Sequence, residues 1–191
     1  MSPVTHFLAS WVIFERAFDT RRDRILVVAS GVVPDLDGMG IVIDFMTRAL
    51  GMPETDYYHA FHRLWGHGLA PAFLLSILAA LWADRRVRML IGTFLCLHLH
   101  YLCDILGSRG STEEDLWGIY YFAPFSTAHE LTWSGQWPLV SWQNTLITLV
   151  LLAIIFTQAV RRGYSALGLF STKADEVFVQ TLRLRFGHSP H

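Results

Sequence analysis

The chain has 191 residues, which is enough for one domain with a substantial core. Hydrophobic residues make up 52% of it and charged residues 16%, whereas ordinary soluble domains have about 45–50% and about 25%. This composition favours a membrane protein or an unusually apolar helical one. The net charge of −1 excludes the strongly basic surface of a typical nucleic-acid-binding protein, so we expect no nucleic-acid partner.

Apolar runs alternate with charged or Gly/Pro-containing breaks, which predicts an all-α, multi-helical integral membrane protein. We expect about four to five of these runs to be helices embedded in the lipid bilayer. The best candidate for a full crossing is 139–160, whose 22 residues include no charge and could span a hydrocarbon core of ~30 Å. Residues 107–138 are predicted to form a long loop. The other runs are 4–18, 25–33, 40–50, 69–83 and 89–106.

Clusters of arginine at 21–24, 84–88 and 161–162 each mark one end of a predicted helix. The positive-inside tendency predicts that all three clusters are cytoplasmic. We therefore expect a membrane-embedded domain over 1–162 and a polar, basic C-terminal tail over 163–191. Oligomeric state is left open by the sequence.

The most informative stretch runs from Phe94 to Asp104, an apolar segment that contains two histidines and a carboxylate. His100 and Asp104 are four residues apart, so a helix presents both on one face, where they could bind a single divalent cation. His98 points about 200° away from His100 and is predicted to be packed or bonded across helices. The alternative for His100 is a core histidine that is hydrogen-bonded to neighbouring backbone.

Several other polar groups fall at the same predicted membrane face as His100 and Asp104. Threading the chain through the bilayer from the arginine clusters places them on the non-cytoplasmic side, at the ends of their helices. They are His6, Asp35, Asp37, His62 and His67.

The order and spacing of these residues resemble those of the membrane-bound, metal-dependent hydrolases of bacterial inner membranes. The resemblance covers roughly residues 1–160. Glycine stands at position 68, where that family usually has serine, and Tyr121-Phe122-Ala123-Pro124 replaces its usual Trp-Pro. The shared motifs are Thr5-His6, Pro34-Asp35-Leu36-Asp37, His62-Arg63-x3-His67, His100-x3-Asp104 and a segment from Asp115-Leu116-Trp117-Gly118 to Phe122-Ala123-Pro124-Phe125-Ser126.

The resemblance implies a bacterial inner-membrane location and a helical core like that of zinc-dependent phospholipase C and P1-type nucleases. It also implies a metal site, with the choice between Asp35 and Asp37 and between His62 and His67 left open. The expected metal ligands are His6, Asp35, His62, His67, His100 and Asp104.

Imidazole and carboxylate ligands without thiolate suit Zn²⁺, or else Mn²⁺ or Fe²⁺, in a catalytic rather than a structural site. The number of ligands allows one or two ions. Whichever of Asp35 and Asp37 does not bind metal could act as a general base or orient an imidazole. Arg63 could bind a substrate phosphate.

The function expected from these features is metal-dependent hydrolysis, with a phosphoester of a lipid, a lipid-linked compound or a small molecule as the substrate. Two other readings remain open. A metal-transport protein would also place His and Asp within apolar helices. A non-catalytic membrane protein could use a closed His/Asp metal site only to hold its helices together.

Overall fold

A computed structural model describes residues 1–62 and 65–186. These residues form eight α-helices and three short 3-10 helices, with two isolated bridges and no β-strand. Arg63 and the end of the tail, 187–191, lie outside the described residues. The α-helices are α1 (Pro3–Phe14), α2 (Arg21–Ser30), α3 (Gly40–Ala49), α4 (Tyr57–Phe61), α5 (Leu69–Trp82), α6 (Arg86–Gly107), α7 (Trp142–Arg162) and α8 (Thr172–Phe186).

Two helices, α6 and α7, are long and apolar enough to cross a membrane. A third crossing is possible if α2 and the segment Val33–Ala49, which bend by 51° at their junction, act as one broken span. The predicted all-α, multi-helical membrane protein is confirmed. The 14 residues of α5 extend about 21 Å, so α5 is apolar but too short to cross a hydrocarbon core alone.

The packing of α5 against α6 shows the arrangement expected in lipid. The buried positions of α5 are small: Ala72, Ser76 and Ala80, one turn apart, face the rest of the protein. Large apolar side chains such as Leu74 and Leu81 are exposed on α5. Small residues allow two helices to approach closely, and exposed apolar residues suit contact with acyl chains.

The C-terminal segment includes a helix that packs on the membrane-embedded part. Val179 and Leu182 of α8 are buried against Ala159 of α7. The Arg183 side chain also donates a hydrogen bond to the Val160 carbonyl, with 2.9 Å between donor and acceptor.

The predicted arginine clusters lie together at one end of the molecule. Arg22 from the first cluster pairs with Asp84 beside the second, and Arg162 from the third pairs with Glu15 near the start of the first. Asp104 lies at the opposite end of α6 from the second cluster, about 27 Å along the helix axis. The three arginine clusters and the His/Asp residues therefore occupy opposite ends of the fold.

Glu15 is a buried carboxylate at the arginine-rich end of the fold, where it links the end of α1 to the end of α7. Its side chain has no exposed surface, pairs with Arg162 at the end of α7 and accepts a hydrogen bond from the Tyr164 hydroxyl at 2.9 Å. Removing one partner of such a pair leaves the other charge buried and unpaired.

We therefore expect Glu15→Ala to lower the free energy of unfolding by about 3–5 kcal/mol. Denaturant unfolding of the purified protein in detergent measures this. Glu54→Ala is the matched control, because Glu54 pairs with Arg48 at 3.8 Å while both side chains are largely exposed; it should change stability by less than about 1 kcal/mol. Equal effects of the two substitutions would contradict the prediction.

Candidate metal centre

Four of the predicted ligands meet at one point. His6 from α1, Asp35 from the turn after α2, and His100 and Asp104 from α6 each place one ligand atom within 4.8 Å of the other three. His6, His100 and Asp104 are almost completely buried, and Asp35 is half-buried. A buried set of two imidazoles and two carboxylates is the kind of donor set that binds a divalent transition metal.

His100 and Asp104 lie side by side on α6, as their spacing of four residues predicts. Their side chains share a face of α6, and His100 Nε2 lies 3.1 Å from Asp104 Oδ2. His100 Nδ1 lies 2.9 Å from the Gly31 carbonyl oxygen. A carbonyl can only accept, so Nδ1 carries the proton and the lone pair of neutral His100 is on Nε2, facing the cluster.

His67 reaches the same point from the loop before α5. Its Nδ1 donates to Asp37 Oδ2 at 3.0 Å, so the lone pair of its neutral form is on Nε2. That nitrogen lies 3.1 Å from His100 Nε2 and 3.4 Å from Asp104 Oδ2. A carboxylate that holds the outer nitrogen of an imidazole in this way is typical of a metal ligand and its support.

The backbone around His67 is held in place from both sides. The Tyr101 hydroxyl lies 2.9 Å from the Gly66 carbonyl oxygen and 3.1 Å from that of Gly68, where it can donate. Gly68 has φ of +152°, and a Cβ there would lie 3.0 Å from the Tyr121 carbonyl oxygen. Glycine at this position, a departure from the resembling family, therefore suits the backbone that the loop adopts.

His67 Nε2, His100 Nε2 and Asp104 Oδ2 are three acceptors directed at one another. Atoms that present only lone pairs repel at about 3 Å unless a cation lies among them, which must be a proton or a metal ion. Burial lowers the pKa of His67, but hydrogen bonds to Asp104 and Asp37 outweigh it and raise that pKa to about 9. The same field that holds a proton there would attract a divalent cation.

Other polar atoms around the cluster also favour a cation at this point. Asp104 Oδ1 accepts from His6 Nε2 at 3.0 Å and also contacts the Met1 ammonium group, which is itself a cation. Asp35 Oδ2 and His6 Nδ1 are buried and have no hydrogen-bond partner in the described part of the chain. Unpartnered buried polar atoms are costly, and a bound cation would satisfy them.

The C-terminal end of α6 is fixed to the rest of the protein by two buried amides. Gln136 Nε2 donates to the carbonyl oxygens of Asp104 and Ile105 at 3.0 and 2.8 Å, and Asn144 Nδ2 donates to that of Gly107 at 2.8 Å. The last carbonyls of a helix have no partner within it. These amides therefore satisfy them and hold the turn that carries Asp104.

His62 is close to the cluster but is not one of the four residues that meet. Its Nδ1 donates to Asp37 Oδ1 at 2.6 Å, so Asp37 holds both His62 and His67. The His62 ring lies 4.6 Å from the Trp117 ring and borders a cavity of about 270 Å³. Asp35 and Asp104 also line this cavity, so it opens onto two members of the four-residue cluster.

The members of the two pairs that the sequence left open lie in different places. Asp35 lies in the four-residue cluster, whereas Asp37 supports two imidazoles. His67 directs Nε2 into the cluster, whereas His62 faces the cavity. The predicted role of Arg63 concerns a residue outside the described part.

His98 is a packed histidine, as its helical direction predicts. Its Nδ1 donates to the Phe94 carbonyl at 2.7 Å and its Nε2 accepts from the Tyr121 hydroxyl at 2.9 Å. Sequence reasoning did not identify Tyr101, Gln136 or Asn144 as supports of the site. An uncharged polar residue carries no sequence signal of burial.

The fold and the site define an all-helical membrane protein with a buried histidine–aspartate cluster at one end of α6. The chain matches the YdjM inner membrane protein family over residues 1–180, and it belongs to that family. No curated protein and no solved structure matches the chain. The expected inner-membrane class is confirmed, whereas the relationship to hydrolases, phospholipase C and P1-type nucleases stays a prediction.

We expect Asp37→Asn to weaken binding of Zn²⁺ by about 10- to 100-fold, because the carboxylate that orients His67 is lost while the metal-binding atoms remain. Competition with a chelating dye on detergent-purified protein measures the affinity. Asp19→Asn is the control, since Asp19 is exposed at the arginine-rich end and pairs with Arg88 at 3.6 Å. Unchanged affinity in Asp37→Asn would mean that His67 is not a ligand.

Proposed function

We propose that this protein is a membrane-embedded, metal-dependent hydrolase that cleaves a phosphoester, with a lipid or lipid-linked phosphate as the favoured substrate class. The observation that carries the proposal is the buried cluster of His6, Asp35, His100 and Asp104 beside an accessible polar cavity. Zn²⁺ is the favoured ion and Mn²⁺ or Fe²⁺ the alternatives, in one or two positions.

The residues support a division of roles. His6, Asp35, His67, His100 and Asp104 would hold the metal. When bound, such an ion lowers the pKa of a water ligand and stabilises negative charge on a phosphoryl group. Asp37 would orient His67 and His62.

His62 is the residue best placed to move a proton. Asp37 fixes its Nδ1–H, which leaves the Nε2 lone pair of the neutral ring free for proton transfer. Its ring borders the cavity that Asp35 and Trp117 also line. In the proposed reaction His62 accepts a proton from the attacking water or returns one to the leaving alcohol.

The cavity favours an enzyme over a purely structural metal site. A site that only holds helices together is closed by protein ligands, whereas a catalytic one keeps an open side.

The positions of the candidate ligands along α6 argue against a metal transporter, which would need ligands along a path across the membrane. His100 and Asp104 lie in its last two turns, and the buried residues nearer its start include Met89, Cys96 and Leu97.

The proposed location is the bacterial inner membrane, with more than one crossing and with the metal site toward the non-cytoplasmic face. The arginine clusters at the opposite end of the fold support this orientation through the positive-inside tendency. A site at the level of the lipid head groups suits a phosphate carried by a lipid.

Elemental analysis of detergent-purified protein should find about one or two equivalents of zinc or manganese. His100→Ala and Asp104→Asn should abolish binding, because each removes a buried ligand. His98→Ala is the matched control, since it removes a histidine of the same helix that faces elsewhere. A parent protein that binds no metal after reconstitution with Zn²⁺ or Mn²⁺ would overturn the proposal.

Measurements of hydrolysis distinguish the proposed role of His62 in proton transfer from the role of the metal ligands. The metal-loaded parent should hydrolyse bis-p-nitrophenyl phosphate or a phospholipid, and His62→Gln should reduce kcat by about 10²- to 10⁴-fold without loss of metal. Rates are followed by release of p-nitrophenol or of the lipid product. Full metal content with no hydrolysis of a panel of phosphomonoesters, phosphodiesters and lipid phosphates would exclude a phosphoesterase.

A further inference from the structure

Arg109 follows the end of α6 and has a firmly held backbone. Its N–H donates to the Trp137 carbonyl at 3.2 Å, and its carbonyl accepts from the Leu139 N–H at 2.8 Å. These bonds join the end of α6 to the segment that leads into α7. The position of Arg109 is therefore set by main-chain contacts that do not depend on its side chain.

The side chain of Arg109 has no partner to explain its placement. It lines the same cavity as Asp35 and Asp104, and its Nε atom is buried without a hydrogen bond. Within residues 1–62 and 65–186, no hydrogen bond or ion pair involves the guanidinium group. Burying an N–H without an acceptor costs free energy comparable to a lost hydrogen bond, so an acceptor from outside the chain is expected.

The neighbours of Arg109 identify the kind of acceptor. The cavity is lined by three carboxylates, Asp35, Asp104 and Asp115, and by the Met1 ammonium group, which contacts Asp104. The carboxylates outnumber this ammonium group, so the surroundings of Arg109 repel anions. A divalent cation held by Asp35 and Asp104 would remove most of that repulsion. Arg109 would then present a planar fork of donors beside the cation, which matches the oxygens of a phosphoryl group.

We propose that Arg109 binds the phosphoryl oxygens of the substrate next to the metal, and so forms the anion subsite of the cavity. This inference rests on the proposed function, because the second contact of the phosphoryl group is the metal. A lipid head group and a water-soluble phosphate ester share this chemistry. The subsite requires both the cation and the guanidinium group, so binding of phosphate should depend on each.

The test uses Mn²⁺-loaded protein in detergent and inorganic phosphate as the probe. Bound Mn²⁺ broadens the ³¹P resonance of phosphate that binds beside it, which gives an affinity without any turnover. Arg109→Gln should weaken phosphate binding by about 10- to 100-fold while Mn²⁺ content is unchanged. Arg109→Lys should recover part of the loss, since it returns the charge without the fork.

Arg86→Gln is the matched control, because Arg86 is exposed at the start of α6, at the other end of the helix from Arg109. It should leave phosphate affinity unchanged. Full Mn²⁺ content with equal phosphate affinity in the parent and Arg109→Gln would overturn the anion subsite alone. No bound Mn²⁺ in the parent would overturn the proposed function and the subsite together.

A competition experiment tells whether the subsite prefers a lipid head group or a water-soluble phosphate ester. Dihexanoyl phosphatidic acid and glycerol 3-phosphate compete with inorganic phosphate in the same titration. Tighter binding of the lipid, with the same loss in Arg109→Gln, assigns the subsite to a head group. Equal binding of both competitors, again lost in Arg109→Gln, assigns it to a water-soluble ester. Competition that Arg109→Gln does not weaken contradicts the subsite.

Discussion

The structure depends on three acceptor atoms that converge in a buried space: His67 Nε2, His100 Nε2 and Asp104 Oδ2. Their outer partners, Asp37 and the Gly31 carbonyl, fix the ring protons on the far side of each imidazole. The lone pairs are thereby turned inward, where a proton or a metal ion would stabilise them. This arrangement requires four parts of the fold to meet at one point. They are α1, the turn after α2, the loop before α5 and the end of α6.

The cluster lies at one end of the membrane-embedded helices. Helices α6 and α7 carry apolar surfaces suited to lipid, and the His/Asp cluster lies at the end of the fold opposite the three arginine clusters. Buried amides at Gln136 and Asn144 let α6 end inside the protein without unsatisfied carbonyls. The polar cavity can therefore lie beside the last turn of a helix that is otherwise apolar.

The helices and the four residues of the cluster were predictable from the sequence, as was an aspartate of the turn at 34–37 that orients an imidazole. The uncharged supports of the cluster were not. Apolar runs indicated each long helix, since a stretch such as 139–160 can satisfy its backbone in lipid only as a helix. The spacing of His100 and Asp104 put them on one face of α6. The split between Asp35 and Asp37 depends on how a short 3-10 turn directs neighbouring side chains, which spacing does not determine. The backbone contacts of Tyr101 and Arg109 depend on loops brought together only by the complete fold.

X-ray absorption spectroscopy of the zinc-loaded protein identifies the atoms around the metal and so shows whether the His/Asp cluster binds it. We expect a shell of nitrogen and oxygen at about 2.0–2.2 Å, with outer scattering from at least two imidazoles and no sulfur. His100→Ala should remove part of the imidazole signal. A sulfur shell at about 2.3 Å, from Cys96 or Cys103, or an oxygen shell without imidazole would contradict it.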